Sequence, residues 1–168
     1  MSPGASRRAL LCALLGATAL AACGAGRPAA PSEKADFRLE TLDGGTLGPP
    51  DFPGEVVVVD FWATWCVPCR AQAAILEELH AEYGGRGVRF LAVDVAEDRA
   101  TVEAFVAENP FPYPVLLDPE DRLSAQVGLI ALPTVMVVDT EGQVVYLQAG
   151  LVDKRRLEKL LREAGATA

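Results

Sequence analysis

The chain has 168 residues, 51% of them hydrophobic, and carries 15 lysines and arginines against 23 aspartates and glutamates, for a formal charge of -8. That length gives one domain with room for a substantial core. The acidic balance argues against nucleic acid or an anionic membrane surface as a partner held by charge.

At the start, Arg7 and Arg8 precede an apolar, alanine- and leucine-rich run from Ala9 to Ala22. The run is shorter than a membrane span and ends in small residues, as a secretory signal does. It closes on Leu20-Ala21-Ala22-Cys23. This resembles the lipobox of bacterial lipoproteins, in which the cysteine is acylated and becomes the new N-terminus. The alternative is an ordinary signal cut near Ala22, with Cys23 an incidental thiol. The lipobox resemblance makes residues 1–22 a lipoprotein signal peptide, with Cys12 lost inside it, and Cys23 the lipidation site. From Gly24 to Ala35 nothing has core periodicity, so residues 23–35 read as a lipid-anchored flexible tether. Fully extended, it would reach roughly 35–40 Å from the bilayer.

The folded domain is expected over residues 36–168. Phe37-Arg38-Leu39-Glu40 alternates and Leu42-Asp43-Gly44-Gly45 turns, which predicts an N-terminal β-hairpin. Pro49, Pro50, Pro53 and Gly54 form a loop. The β-branched run Val56-Val57-Val58-Val59 then reads as a strand buried on both faces. It leads through Asp60-Phe61-Trp62-Ala63-Thr64-Trp65 to Cys66-Val67-Pro68-Cys69-Arg70, and Ala71 to Tyr83 reads as a helix. Cys66 therefore sits at a strand-to-helix junction, where free backbone N–H groups and the helix dipole favour a thiolate. Cys69 lies in the first turn, a spacing from which two sulfurs can meet. Pro68 suits that turn, because its missing N–H costs nothing there. A zinc site would need a second pair of ligands, and His80, the only histidine, falls about three helical turns further on. Two buried thiols are the bland alternative to a redox pair.

The segment Asp60-Phe61-Trp62-Ala63-Thr64-Trp65-Cys66-Val67-Pro68-Cys69 resembles the active-site segment of thioredoxin-fold proteins. It is most similar to the extracytoplasmic, membrane-tethered disulfide reductases of the TlpA/ResA type, and the likeness runs from about Phe37 to the C-terminal helix. The resemblance implies an α/β, three-layer thioredoxin-like fold with a central mixed sheet, the N-terminal hairpin and a helix-plus-strand insertion.

Further along, His80 is expected on the helix surface, and Val88 to Val95 reads as the next strand. Thioredoxin-like chains often carry a lysine in that strand. The nearest match here is Ala92, so the role of that lysine does not carry over. Asp98 can cap a helix from Arg99 to Glu108, stopped by Asn109-Pro110-Phe111-Pro112. Tyr113 to Leu117 reads as a short strand and Glu120 to Val127 as a short helix. Leu132-Pro133 opens a strand of β-branched residues, where proline is tolerated. The resemblance makes the matching proline cis and facing the disulfide, against a base rate of about 5–6% for X–Pro bonds. Thr140-Glu141-Gly142-Gln143 turns into Val144–Leu147, and Asp153 caps a last helix held by Leu157, Leu160 and Leu161.

These residues and the resemblance together predict a thiol–disulfide oxidoreductase outside the cytoplasm, anchored to a bacterial membrane. Cys66, Cys69, Pro133 and Asp60 are the candidate catalytic residues. Trp65, Val67, Pro68 and Leu132 are the candidate substrate-binding residues. Asp60 is expected to be buried, with its carboxyl raised toward neutrality and able to relay a proton to Cys69. The TlpA/ResA type commonly has asparagine at this position and glutamate at the position of Gln72. The resemblance implies a membrane electron donor, exported thiol proteins such as apocytochrome c as substrates, and a monomer without cofactor or metal. Two alternatives remain. A peroxiredoxin-like peroxidase shares the fold, but the Pro-X-X-X-Thr-X-X-Cys turn is absent before Cys66. A Cu(I)-binding module suits two thiolates, but no Met or His motif stands beside them.

Overall fold

A computed structural model describes residues 33–166. The proposed signal over 1–22, Cys23 and most of the tether lie outside the described residues. The elements in chain order are β1 (Leu39–Thr41), β2 (Thr46–Leu47), β3 (Val56–Trp62), α1 (Val67–Tyr83), β4 (Val88–Val95), α2 (Arg99–Glu108), β5 (Val115–Asp118), α3 (Arg122–Gln126), β6 (Thr134–Val138), β7 (Val144–Ala149) and α4 (Lys154–Glu163). The strands form one mixed sheet in the order β2-β1-β5-β4-β3-β6-β7. β3, β4 and β5 run parallel, while β6 pairs antiparallel with β3 and β7, and β1 with β5 and β2.

Every residue of β3 is buried, which is why its sequence runs apolar without alternation. Its side chains still divide between two cores. Val56, Val58 and Trp62 meet Leu76 and Leu79 of α1, Val102 of α2 and Leu157 and Leu161 of α4. Val57, Val59 and Phe61 meet Leu91 and Val93 of β4, Leu123 of α3 and Met136 of β6. The sheet is thus the middle of three layers. Each fully buried Val or Leu contributes about 1.5–3 kcal/mol, so β3 and its neighbours form the stable scaffold from which the Cys66 turn projects.

The thioredoxin-like architecture is as the resemblance implied, with the hairpin β1–β2 at one edge and α2–β5 inserted after β4. Several boundaries differ. Residues 33–35, assigned to the tether, are joined to the sheet: Val144 N donates to Glu33 O, Lys34 bridges Gln143, and buried Ala35 donates to Gly142 O at 2.9 Å. Helix α1 starts at Val67 rather than Ala71, with Pro68 in its first turn. Strand β5 starts at Val115, because Pro114 has no N–H to give, although its carbonyl accepts from Ala92 N at 2.9 Å. His80 is half-buried rather than on the surface. Its ring meets the ring of Phe90 edge-on at 5.5 Å and lies 5.4 Å from that of Tyr113.

Candidate active site

Strand β3 ends at Trp62, and Ala63 to Trp65 turn the chain into α1. Cys66 N donates to Ala63 O at 3.1 Å, and Cys66 is the N-cap of α1 in an extended conformation. Its side chain therefore belongs to the helix N-terminus, where the dipole favours a thiolate, although in the disulfide it makes no capping hydrogen bond. Cys66 and Cys69 form a disulfide with their Cα atoms 5.4 Å apart. Both cysteines are 3% exposed, so in this oxidised state exposure does not separate them. Their positions do, one capping the helix and the other inside its first turn. Their neighbours Trp65, 69% exposed, and Val67, 75% exposed, present apolar surface to solvent, and Pro68 is exposed beside them.

The peptide bond between Leu132 and Pro133 is cis, as the resemblance implied. Thr134 of β6 is in register with Phe61 of β3, which puts Pro133 at the same end of the sheet as the cysteine pair. Two bonds hold the loop: Thr134 Oγ1 donates to Ala131 O at 2.6 Å, and Gly150 N donates to Pro133 O at 2.7 Å. Half-buried Leu132 packs against the core cluster that contains both cysteines. Ile130 and Leu151, on the loops either side of Pro133, are exposed. Behind the pair, Trp62, Ala63, Arg70, Phe105 and Phe111 line a cavity of about 230 Å³ that reaches both cysteines. The Arg70 guanidinium lies 5.5 Å from the centre of the Phe105 ring.

Asp60 is buried, and neither carboxylate oxygen has a hydrogen-bond partner. Its register partners are Ala92 and Val135, and among the described residues no cation forms a salt bridge with it. Burial alone pushes its carboxyl well above the usual range. By strand parity it faces the same side as Trp62, the side on which the cysteines pack. The Tyr113 hydroxyl and the Trp62 Nε1 are also buried without partners. Gln72, three residues after Cys69, is fully buried. Its Oε1 accepts from Val152 N at 2.8 Å and its Nε2 donates to Val152 O at 3.4 Å.

The sequence reading passed over two acids. Glu97 accepts from Thr64 N at 2.6 Å and from Thr64 Oγ1 at 2.7 Å, and so grips the turn that leads into Cys66. Asp94, the next-to-last residue of β4, is fully buried, and its carboxyl is pushed up to about 8, first by burial and then by Glu97. The available signal was a carboxylate inside an apolar strand, the same signal that marked Asp60. No group of three or more His, Cys, Asp or Glu placed to hold a metal ion occurs among the described residues.

Comparison with known proteins agrees with this geometry. The Redoxin family model matches residues 25–161. The thiol-disulfide oxidoreductase ResA of Bacillus thuringiensis subsp. konkukian is 32% identical over 131 residues, which cover 78% of this chain and 76% of that protein. The crystal structure of a Chlorobium tepidum protein assigned as a thiol:disulfide interchange protein DsbE superposes with a TM-score of 0.72. It is 30% identical, and the match covers 79% of this chain and 97% of that one. The exposed lipoprotein thioredoxin Etrx1 of Streptococcus pneumoniae gives a TM-score of 0.70 at 30% identity, with 77% of this chain and 99% of that chain covered. A strand-to-helix cysteine pair on this fold, with relatives of that kind over most of its length, makes the chain a protein-disulfide oxidoreductase of the TlpA/ResA type, and it belongs to the Redoxin family.

Proposed function

We propose that this oxidoreductase is a disulfide reductase of exported proteins, held outside the cytoplasm by lipid on Cys23. The observation that carries the chemistry is Cys66 capping α1 within disulfide reach of Cys69. In the reduced protein, the Cys66 thiolate attacks one sulfur of a substrate disulfide. A mixed disulfide forms and the other substrate sulfur leaves as a thiolate. Cys69 then loses its proton and attacks the Cys66 sulfur, which releases the second substrate thiolate and leaves the Cys66–Cys69 disulfide. Two electrons pass from the pair to the substrate, and a membrane electron donor returns two to the pair.

Asp60 is the proton acceptor for Cys69 in this scheme. It is a carboxyl raised by burial on the face where the cysteines pack, and so is suited to take a thiol proton and return it. Leu132 offers a backbone edge to the substrate with Pro133 packed beside the disulfide, while exposed Trp65, Val67 and Pro68 offer apolar contact. Apocytochrome c is the proposed substrate, since its paired cysteines must be reduced before haem attaches.

The deciding experiment uses the reduced protein and an apocytochrome c whose Cys-X-X-Cys-His disulfide is intact. Stoichiometric appearance of substrate thiols, lost in Cys66→Ser, supports the reading. Peroxide consumption without added disulfide would instead make the protein a peroxidase. Recovery of an N-terminus at Cys23 without lipid, or beyond Cys23, from native membranes would remove the anchor.

A further inference from the structure

Asp94 is the second fully buried carboxyl of the sheet, and the exchange chemistry leaves it without a task. It lies on β4 opposite Trp62 of β3 and Leu117 of β5, and its oxygens have no hydrogen-bonded side-chain donor; the backbone N–H of Glu97 favours its charge, but not enough to offset burial. Its polar neighbour is the carboxyl of Glu97, three residues on. Two carboxyl groups attract only when one carries a proton, which then bonds the pair. Glu97 already accepts from both donors of Thr64. It also stands immediately before Asp98, the N-cap of α2, where the helix dipole favours negative charge. The charge therefore belongs on Glu97 and the proton on Asp94.

We propose that Asp94 and Glu97 are positioning residues that act as one proton-loaded latch on the Thr64–Trp65–Cys66 turn. With the proton present, Asp94 donates to Glu97, and Glu97 holds Thr64 by two bonds. With the proton lost, two carboxylates face each other, one buried and one half-buried. Glu97 is pushed outward, its hold on Thr64 loosens, and the turn that carries Cys66 shifts.

The charges around the latch do not relieve it. Glu97 and Asp118 of β5 both oppose ionisation of Asp94. Asp60 of β3 stands two residues before Trp62 on the same face of the sheet. On α2, Asp98 is bonded to Thr101, and Arg99 is turned toward Glu40 and Glu103. On α1, Arg70 stacks on Phe105. Among the described residues no cation forms a salt bridge with Asp94 or Glu97. The latch should open near pH 8, where the Asp94 carboxyl titrates.

The test follows the Thr64 amide by NMR in the oxidised protein, whose paired cysteines do not titrate, from about pH 6 to about pH 9.5. The wild type should show a step in the Thr64 amide shift centred near 8. Asp94→Asn, with a permanent donor toward Glu97, should abolish the step, whereas Asp60→Asn should keep it. Glu97→Gln should remove it as well, and carries the same test if Asp94→Asn does not fold. In kinetics, reduction of the disulfide by dithiothreitol, expressed per thiolate, should fall several-fold across this step in the wild type and stay level in Asp94→Asn. A flat Thr64 signal in the wild type, or a step that survives Asp94→Asn, overturns the proposal.

Discussion

Two cysteines equal in burial must differ in role through their surroundings. Cys66 is the N-cap of α1, where the helix dipole favours negative charge, so its thiolate is the better stabilised. Cys69→Ala should accumulate a mixed disulfide through Cys66, while Cys66→Ala should trap little, as non-reducing gels with mass spectrometry will show. Limiting alkylation that labels Cys69 first would reverse the assignment. Asp60 adds a pH signature. Its carboxyl is raised in the fold by burial, so below about pH 4 folded and unfolded states are both protonated and nothing is lost. As pH rises, the unfolded chain ionises while the fold keeps its proton, and stability falls until the folded group titrates. Asp60→Asn should therefore stabilise the oxidised protein at pH 7 and have little effect near pH 4, judged by urea midpoints. The same variant should slow resolution of the mixed disulfide by about 10²-fold or less and flatten its pH profile. An unchanged profile would remove Asp60 from the proton path.

At the level of elements, Gln72 ties the helix that carries the cysteines to the loop that leads into α4. Its amide satisfies both the N–H and the C=O of Val152, and α1 and α4 share one core. Gln72→Ala leaves that buried N–H without an acceptor and should cost about 1–3 kcal/mol in urea unfolding. Gln72→Glu keeps the acceptor and loses the donor unless it is protonated. It should therefore be weaker than wild type at pH 7 and recover toward pH 4. Equal stability at the two pH values would mean that the Val152 clamp carries little load. None of this was legible in the sequence, where Gln72 stood out only as a departure from the TlpA/ResA glutamate, because the partner is backbone 80 residues away. What was legible is local. The Val56–Val59 run, the Asp98 cap and the Cys-X-X-Cys spacing each dictate their own structure, and the α2 and β4 boundaries match. The α3 boundary was misplaced because its first-turn donors go to Asp118 of the preceding strand. That carboxylate accepts from Arg122 N, Leu123 N, Ser124 N and Ser124 Oγ. Asp94 and Glu97 escaped notice because their meaning depends on Thr64, a loop residue 33 positions from Glu97.

For the whole molecule, an acidic body carries its reactive pair at one end of the sheet. Apolar Trp65 and Val67 flank Cys66, and exposed Ile130 and Leu151 sit on the loops around Pro133. Apolar contact at the turn is insensitive to salt, while the field of the -8 chain acts on a substrate before contact. The two contributions separate by ionic strength. At about 0.01 M the Debye length is ~30 Å, comparable with the domain, and at 1 M it is ~3 Å. Reduced protein should therefore react faster with the dicationic disulfide cystamine than with anionic glutathione disulfide at the lower ionic strength, and the difference should shrink at the higher one. Stopped-flow Trp fluorescence reads both reactions in the same protein. Charge reversal at Arg70, the exposed cation on the first turn of α1, should widen the gap in favour of cystamine, because it removes a positive charge beside Cys69. Rates that respond alike to salt for both disulfides would show that the net charge serves solubility alone. Substrate choice would then rest on the apolar side chains at the turn and the backbone edge at Leu132.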